Sequence, residues 1–320
     1  MDMGLIPINS IKMKKCKFCY LNFLSIRIDK FLSYIYKISR NKIIFLIKNK
    51  NILINNKYIK KNYFLKKKDI IIILKNNFIY KYKILPKKKK LNILYEDDYL
   101  LVINKKYNLV VNPTLYNYKD TLINYLLYKY NNLFLLKKYN MGLINRLDKD
   151  TSGIILIAKN FKVLLHIQNQ FKTHKIIKKY FIIINGIFKK KRLCIKNNIC
   201  RSKKNKFKMT ISNNRGKYSI TFLKRIKILN NFTLLKCYLK TGRTHQIRVH
   251  LNSINYNILN DKVYYNKHNK ININKNNFLN RQALHSYYIK FFHPIYKKYI
   301  QIYCKLPNDI KIFINKYKYL

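Results

Sequence analysis

Two short segments of the chain concentrate the residue types that perform chemistry. They are Asn145–Gly153, with the sequence NRLDKDTSG, and Thr241–Leu251, with the sequence TGRTHQIRVHL. Lys, Asn, Ile and Tyr dominate the rest of the chain, and five of the six Gly fall between residues 142 and 242. Mixtures of Gly, Arg, Thr, Asp and His are improbable against that background, so these segments are the first candidates for a functional site.

The first segment offers two carboxylates, Asp148 and Asp150, just before the apolar run Ile154–Ala158. Glycoside hydrolysis needs two carboxyl groups that flank one bond across about 5–9 Å, and residues two apart in an extended segment lie too close together for that. A metal-dependent nuclease would need further carboxylates at motif spacing, which the sequence lacks. One nucleophilic carboxylate is the economical interpretation. A capping or loop-bracing role for either Asp stays open.

The second segment follows a predicted strand at 232–239 and predicts a turn at Gly242, then a helix capped by Thr244. The buried stripe of that helix is predicted to be Ile247, Leu251, Ile254 and Ile258. Another face carries Arg248, whose guanidinium can bind a carboxylate or a phosphate with a fixed pair of donors. Arg248 could therefore hold an Asp nucleophile in its ionised form, although a surface ion pair is an equally simple role.

The charge of the chain points to a polyanionic partner. Lys and Arg number 69 against 11 Asp and Glu, a net charge of +58. Compositional bias explains part of the Lys content, but a field of this size attracts phosphate polymers, and RNA is the favoured partner. The 48% hydrophobic content excludes a fully disordered chain. No apolar run reaches the roughly 18 residues of a membrane span, and no secretory signal is evident, so a monomeric cytoplasmic protein, or one of an organelle of bacterial origin, is expected.

Elements that could position these segments fall into two predicted domains. Residues 1–26 form a basic tail. Residues 27–75 predict two helices, a hairpin turning at Asn55–Asn56 and a strand at 70–74. Residues 76–90 predict a linker that ends in Pro86 and four lysines. Residues 91–320 predict β-like runs at 100–103, 154–158, 180–185, 218–222 and 232–239, with helices near 121–130 and 161–175. Without regular βαβ spacing, the fold class is α+β with a mixed, mainly antiparallel sheet.

Residues 27–75 resemble the S4 RNA-binding domain. The matching residues are Arg27–Leu32, Ser39–Arg40 and Ile54–Lys57. That resemblance implies a helix pair that sits on structured RNA. It implies that the RNA contacts of this domain are Arg27, Lys30, Ser39, Arg40 and Lys42.

Residues 91–320 resemble the RluA-type pseudouridine synthases. Arg146-Leu-Asp148 followed by Thr151–Gly153, together with Gly242–His250, matches the two motifs of that family. Further matches are Ile93–Asp98, Lys179-Tyr180, Gly216-Lys217, Asn260-Asp261, Arg281–His285, His293-Pro294 and Leu306-Pro307. With an S4 domain ahead, the resemblance indicates the ribosomal large-subunit branch, and its D-type enzymes most of all.

The resemblance implies a reaction and a set of roles. Asp148 would be the nucleophile that attacks the ribose of a flipped-out uridine, or otherwise promotes glycosidic cleavage, before the base rejoins through carbon. Tyr180 would stack on the uracil and help to remove the final proton, and Arg248 would pair with Asp148. Arg146, Arg243 and His245 would contact the RNA. The substrate would be large-subunit ribosomal RNA, or the immature subunit, and the isomerisation would need no cofactor or metal.

Three departures from the family pattern bear on activity. Asn145 stands where the family usually has His, Lys106–Asn108 replace a Pro and small residues with Gly, and Asn112 stands where His is common. They keep open the alternative of a non-catalytic RNA-binding or ribosome-assembly factor.

Cysteine spacing raises a third hypothesis, a zinc-dependent nucleic-acid protein. Cys16 and Cys19 have the spacing of half a zinc site, whereas Cys194 and Cys200 are six residues apart, so a complete site is not expected.

Overall fold

The computed structural model of the chain describes residues 5–7, 16–22, 24–36, 38–74, 84–114, 117–202, 205, 207–264 and 279–317. The chain divides into two units, Met1–Lys83 and Ile84–Leu320. Residues 1–4, 8–15 and 23 of the predicted tail and residues 76–83 of the predicted linker lie outside the described residues. The remainder of that linker belongs to the second unit, where Lys87 donates its backbone N–H to the Asn124 carbonyl (2.9 Å) and pairs with Asp120 (2.6 Å).

The elements of the first unit are β1 (Leu5–Pro7), β2 (Cys16–Tyr20), α1 (Ile28–Ile35), α2 (Arg40–Lys48), β3 (Ile52–Ile54), β4 (Lys57–Tyr58) and β5 (Asp69–Ile73). The strands form one antiparallel sheet in the order β1-β2-β5-β3-β4. The predicted helix pair, hairpin and strand are confirmed. α1 buries Ile28, Phe31 and Leu32 on one face. Asn55 and Asn56 adopt the left-handed conformation that the hairpin turn requires (φ 49° and 64°).

The prediction of a tail over residues 1–26 is wrong for Leu5–Pro7, which is β1 and pairs with β2, and for Cys16–Tyr20. This segment is β2, which pairs with β5 inside the sheet and buries Tyr20 against Phe31. Its alternation rests on Phe18 and Tyr20 alone, which is too short a pattern to identify a strand within a Lys-rich segment. Ser39 occupies the N-cap position of α2 as predicted, but its side chain makes no capping hydrogen bond.

The second unit contains ten strands and four α-helices among its described residues. The strands are β6 (Ile93–Glu96), β7 (Leu100–Lys105), β8 (Ser152–Ala158), β9 (Ile177–Asn185), β10 (Arg192–Arg201), β11 (Met209–Ile211), β12 (Lys217–Leu229), β13 (Phe232–Leu239), β14 (Leu284–His293) and β15 (Lys298–Tyr303). The helices are α3 (Leu122–Lys129), α4 (Phe161–Lys172), α5 (Gln246–Ser253) and α6 (Asn308–Lys316), and Asn131–Gly142 form a 3₁₀ segment.

One sheet unites these strands in the order β11-β10-β12-β13-β9-β14-β8-β7-β6, with β15 added against β14. Among the described strands, β14 and β8 pair in parallel and the other pairs are antiparallel, so the predicted α+β fold with a mainly antiparallel sheet is confirmed. β6, β10, β11, β14, β15 and α6 were not predicted. β10 illustrates the reason, because polar residues alternate irregularly with apolar ones in its sequence RLCIKNNICR.

The core lies on both faces of β7 and β8. Leu101, Ile103, Ile155 and Ile157 join the larger apolar cluster, which includes side chains of α3, α5 and α6. The intervening residues Leu100, Val102, Ile154 and Leu156 join a second cluster that includes side chains of α4. Strands buried on both faces have continuous apolar sequences, which is why these two were evident from the sequence.

Gly153 lets β8 approach β14. Its φ is +115°, and a Cβ atom built on it would lie 2.1 Å from the Ser286 carbonyl oxygen. The Thr-Ser-Gly sequence after Asp148 is therefore a packing requirement of the strand that carries the Asp148 loop.

The helix of the second motif starts one residue later than predicted. α5 begins at Gln246, and the position before it is His245, with a left-handed φ of 55°, rather than Thr244. The Gln246 side chain holds the preceding loop instead: Oε1 accepts from the Arg243 N–H (2.9 Å) and the Thr241 hydroxyl (2.9 Å). α5 ends at Ser253, so Ile258 of the predicted stripe is buried through a bridge to Ile184 and not through the helix.

Candidate active site

Asp148 lies on the loop that enters β8, and a buried lysine fixes this loop. The Asp148 carbonyl accepts the Thr151 N–H (3.1 Å) in a turn. Lys105, at the end of β7 and 1% exposed, donates its ammonium to the carbonyls of Lys106 (2.9 Å), Leu109 (3.0 Å) and Lys149 (2.9 Å). Burial lowers the pKa of Lys105 to about 7, although the charges of Asp150 and Asp148 oppose that shift. Lys105 therefore ties the loop after β7 to the Asp148 loop.

Two of the three departures from the family pattern are structurally accommodated, whereas the buried Oδ1 of Asn112 has no hydrogen-bond partner among the described residues. Asn145 accepts the Leu156 N–H (2.8 Å) and donates to the Ile154 carbonyl (3.3 Å), so it fastens the Asp148 loop to β8. Asn108 adopts a left-handed φ of 56°, a conformation that Asn tolerates nearly as well as Gly. Tyr107 packs under the Arg281 guanidinium, 4.8 Å from the ring centre.

Arg248 bridges Asp148 to a second carboxylate, Asp261. Its Nη1 donates to Asp148 Oδ2 (2.9 Å), while Nε and Nη2 donate to the two oxygens of Asp261 (2.6 and 2.7 Å). Burial lowers the pKa of Arg248, but the hydrogen bonds and charge of Asp261, and then those of Asp148, outweigh it and leave the pKa raised. The guanidinium is therefore permanently charged and fixed in orientation beside Asp148.

Asp261 and Tyr264 complete this cluster, and residue-level reasoning from the sequence assigned neither a role. Asp261 Oδ1 also accepts the N–H groups of Val263 (2.9 Å) and Tyr264 (3.1 Å). The Arg248 guanidinium lies 4.9 Å above the Tyr264 ring. The Asn260-Asp261 match to the family was the signal that could have found them, but a lone Asp 13 residues from Arg248 does not predict a bidentate pair.

His245 lies between Asp148 and Tyr264. Its Nε2 is 3.7 Å from Asp148 Oδ2, and its Nδ1 is 2.9 Å from the Tyr264 hydroxyl. Burial lowers the pKa of His245, and the nearby charge of Asp148 offsets this only in part. The imidazole is consequently neutral at pH 7, so Arg248 provides the charged contact to Asp148.

Tyr180 lines the same pocket from β9. Its side chain is buried, and burial raises its pKa well above the usual value. The phenol therefore keeps its proton at neutral pH. The predicted contribution of Tyr180 to removing the final proton stays a prediction.

A pocket of about 480 Å³ opens over these residues. Its lining includes Asn145, Arg146, Asp148, Phe171, Lys172, His174, Lys178, Tyr180, Gly242, Arg243, Thr244 and His245. The structure thus brings together the predicted residues of the two motifs and Tyr180. Arg146 is exposed at this pocket, and Arg243 donates to the Tyr218 carbonyl (3.2 Å). The volume falls in the range of small-ligand sites.

Lys178 is a pocket residue that the sequence did not indicate. It is 8% exposed, and its ammonium lies 3.5 Å from the Thr241 carbonyl and 5.2 Å from the centre of the Phe171 ring. Burial and then the charge of Arg243 lower its pKa to about 8. Lys178 precedes Tyr180 by two residues in β9 and therefore lies on the same face of the strand, and its ammonium is 3.0 Å from where a Cβ atom on Gly242 would lie.

The predicted RNA contacts of the first unit lie on and beside α1 and α2. Arg27 and Arg40 both donate to the buried Asp29, at 3.0 Å and 2.7 Å respectively. Lys30 and Ser39 are exposed, and Lys42 is half-buried. Arg27 and Arg40 therefore have a structural role as well as partly exposed guanidinium groups.

The described part of the chain contains no group of three or more His, Cys, Asp or Glu side chains arranged to hold a metal ion. None of its described helices is long and apolar enough to cross a membrane.

Known proteins are similar in sequence to the second unit and to most of the chain. The sequence model of RNA pseudouridylate synthase matches residues 99–253. The ribosomal large subunit pseudouridine synthase D of Blochmanniella floridana is 34% identical over 297 residues, which cover 89% of this chain and 92% of that protein. The chain belongs to the RNA pseudouridylate synthase family. The synthase D of Buchnera aphidicola from Schizaphis graminum is 40% identical over 71% of this chain and 73% of its own length.

Solved structures of the family share the fold. Human RNA pseudouridylate synthase domain containing 4 aligns with a TM-score of 0.55 and 22% identity, over 71% of this chain and 93% of that chain. The RluA-type resemblance of the sequence is confirmed, and the protein is an RNA pseudouridine synthase. The alternative of a non-catalytic assembly factor is not favoured.

Proposed function

We propose that this RNA pseudouridine synthase isomerises specific uridines of large-subunit ribosomal RNA and that Asp148 is its nucleophile. The observation that carries the proposal is the position of Asp148 in the pocket, with Oδ2 held by Arg248 at 2.9 Å. The structure gives Oδ1 no hydrogen-bond donor among the described residues. One oxygen is thus anchored to a fixed cation, and the other is available to the substrate.

The pocket lining suggests how a uridine is handled. Extruding a base from RNA costs a few kcal/mol, which stacking and phosphate contacts must offset. Tyr180 offers the ring of its neutral phenol for stacking, while Arg146, Arg243 and Lys178 offer cations for the flanking phosphates. Asp148 then attacks the ribose, or otherwise promotes cleavage of the bond to the base nitrogen. The released uracil turns within the pocket and rejoins through carbon, and any bond between Asp148 and the ribose breaks as the carbon bond forms. The carbon gives up its proton, and the ring nitrogen that left the ribose takes up a proton. Atoms and charge balance without an oxidant or a hydrolytic water.

Arg248 and its partners position Asp148 rather than react. Asp261 occupies two of the guanidinium donors, which fixes the direction of the third toward Asp148. Neutral His245 lies with Nε2 3.7 Å from the same Asp148 oxygen. This arrangement pre-organises the carboxylate before the substrate binds.

For the first unit, we propose an S4-type RNA-binding role through Arg27, Lys30, Ser39, Arg40 and Lys42. The helix pair and hairpin are those expected of that domain, and the guanidinium groups of Arg27 and Arg40 are partly exposed. The named relatives are bacterial ribosomal large subunit synthases. We propose that the protein is a monomer and that it acts in the compartment where such ribosomes are assembled. Light scattering of the purified protein tests whether it is a monomer.

Pseudouridine mapping tests the reaction and the target together. Unmodified large-subunit RNA, immature subunits and transfer RNA are incubated with the protein, treated with carbodiimide and read by primer extension. We expect new stops in large-subunit RNA with the wild type. Asp148→Asn should give none but should bind RNA within a few fold, because phosphate contacts supply most of the affinity.

Asp150→Asn is the matched control, since it removes the neighbouring carboxylate two residues away and should retain activity. Stops with Asp148→Asn, or loss of product with Asp150→Asn alone, would contradict the assigned nucleophile. Stops confined to transfer RNA would contradict the ribosomal target.

A further inference from the structure

The sheet of the second unit has a basic, aromatic surface on the side opposite the Tyr180 ring. Side chains alternate faces along a strand, so Lys179 of β9 faces away from Tyr180. Residues directly paired across strands share a face, which extends this surface over β9, β13, β12 and β10. Tyr287 of the fifth strand, β14, joins it through the contact of its ring with that of Phe181. We call it the reverse face; its residues are Lys179, Phe181, Arg192, Phe222, Lys224, Lys236, Tyr238 and Tyr287. Most of them line a shallow groove of about 520 Å³.

The Phe222–Tyr238 pair lies in one row of the reverse face, and Phe181 lies in the next row, beside Lys236. Phe222 and Tyr238 are paired across β12 and β13, and their rings stack at 5.6 Å with an angle of 20°. Phe181 and Tyr287 lie 4.1 Å apart with an angle of 30°. Phe222 is 40% exposed although it is a large apolar side chain in the middle of a long strand. The other three rings are half-buried, and Phe181 also packs against the larger apolar cluster.

Cations form the adjacent row. Arg192, Lys224 and Lys236 are paired side by side across β10, β12 and β13. Like charges directly opposite each other destabilise a sheet, and none of the ion pairs of the described residues neutralises these three. The sequence has no Asp or Glu between Asp150 and Asp261, so all four of these strands lack acidic residues. The uncompensated charge suits a polyanion.

We propose that the reverse face binds a single-stranded segment of the substrate RNA away from the target uridine. Bases stack on the Phe222–Tyr238 and Phe181–Tyr287 pairs, and phosphates contact Arg192, Lys224 and Lys236. Open sheet faces with aromatic rings bind single-stranded RNA in this way, because every base has a face that can stack. On β12 and β13 the Phe222–Tyr238 pair and the Lys224–Lys236 pair are two residues apart along the strands, about 7 Å. The inference uses the RNA substrate of the proposed function but none of the proposed catalytic roles.

Binding of a fluorescent 12-nucleotide oligoadenylate to the full chain tests the surface, since this probe contains no uridine. The charge variant is Arg192→Gln, Lys224→Gln and Lys236→Gln together, and the ring variant is Phe222→Leu with Tyr238→Leu. The matched control removes the same charge from three exposed lysines elsewhere in the unit: Lys297→Gln, Lys298→Gln and Lys311→Gln. Dissociation constants are measured over a range of KCl concentrations.

We expect the charge variant to lower the slope of log affinity against log salt by about 2, because each lost phosphate contact on a single strand contributes about 0.7. The ring variant should weaken binding by about tenfold or more and leave the salt slope unchanged, because stacking is not ionic. The control should change the slope by less than one. Crosslinking of the bound RNA by ultraviolet light should map to Phe222 or Tyr238.

Equal binding by all four proteins would overturn the proposal. A ring variant with wild-type affinity would also overturn it, and so would oligoglutamate of the same charge that competes as well as oligoadenylate. Either result would show that the surface binds anions in general and does not stack RNA bases. Turnover of a short hairpin around the target uridine separates this inference from the proposed function. Reverse-face variants should keep wild-type turnover on that hairpin and show a raised KM on long RNA only.

Discussion

Each unit contains a buried Asp–Arg cluster, and the shared, buried member is an Asp in the first unit and an Arg in the second. In the first unit one carboxylate, Asp29, is fully buried and is shared by Arg27 and Arg40, whose side chains are 32% and 46% exposed. In the second unit one guanidinium, that of Arg248, is buried and is shared by Asp261 and by Asp148, which is 23% exposed. Similar ion pairs therefore present opposite charges to solvent.

The difference shows how an ion pair can serve binding in one place and chemistry in another. Two cations around one buried anion leave a positive surface, which suits phosphate contacts. Two carboxylates around one buried cation leave one carboxylate facing the pocket, which suits a nucleophile. In both clusters the buried member fixes the direction of the partners that remain accessible.

Removing the shared guanidinium should have the largest effect. Arg248→Met leaves Asp261 buried without its bidentate partner, and unpaired buried charges of this kind cost about 3–5 kcal/mol of the free energy of unfolding. Pseudouridine formation should fall at least 100-fold at a temperature where the variant is folded. Urea titration and single-turnover assays measure the two losses.

Arg248→Lys separates positioning from folding. It keeps the charge but cannot make the bidentate contact, so it should recover part of the stability and little of the activity. Wild-type turnover in Arg248→Lys would contradict the positioning role.

Acid should destabilise the second unit before the first, because all seven His lie between residues 166 and 293. Burial lowers the pKa of His250 and of His285 to about 4. In the unfolded chain these two imidazoles bind protons near pH 6.5, whereas in the folded chain they stay neutral until the pH approaches 4. Stability is thus lost as pH falls from 6.5 to 4, by at most about 3 kcal/mol for each His.

The first unit should respond at lower pH. Burial raises the pKa of Asp29, but its hydrogen bonds to Arg40 and Arg27 outweigh this and leave the pKa lowered. Its stabilisation is present above about pH 4 and disappears below. Urea unfolding at several pH values, followed by pulsed hydrogen exchange at one fixed pH, resolves the units. Simultaneous loss of both units near pH 5 would refute the distinction.

Removing the shared carboxylate of the first unit should have a smaller effect than removing Arg248. Asp29→Asn leaves two arginines that water can reach, so we expect a loss of about 1–3 kcal/mol. RNA affinity should fall a few fold as the guanidinium groups lose their orientation. Lys30→Gln is the control for charge alone and should lower affinity without changing stability. An equal cost for Asp29→Asn and Arg248→Met would remove the contrast between the clusters.

The smallest expected effect concerns Lys178, the lysine of the pocket. Its pKa of about 8 means that the ammonium loses its charge as pH rises through 8. kcat/KM, which reports on the free enzyme, should therefore fall about two- to fivefold between pH 7 and 9. Lys178→Arg retains the charge and should flatten this part of the profile. An identical decline in both proteins would assign the titration to another group.

Strong periodicity made several elements predictable. α1 and its buried stripe, the Asn55–Asn56 turn and the apolar strands β7, β8 and β13 follow from residue order, because each depends on local spacing and burial. β2 and β10 were missed, since in each a strand is fixed by neighbouring strands rather than by its own pattern. Tertiary contacts also explain why α5 starts later than predicted. Gln246 holds the preceding loop through Thr241 and Arg243, and His245 adopts a left-handed conformation before the helix.

The sequence by itself determined the two motifs, the family resemblance and the basic character of the chain, because these depend on residue identity and order. Tertiary structure alone decided which groups meet. Asp148 and Arg248 are 100 residues apart in the chain. Asp261, Lys178 and Lys105 come from three further segments, and no local sequence pattern shows that these segments meet at the site. Contacts of that range depend on sheet register and burial, so the pairing of Arg248 with two carboxylates, and the cation row of the reverse face, became visible only in the folded chain.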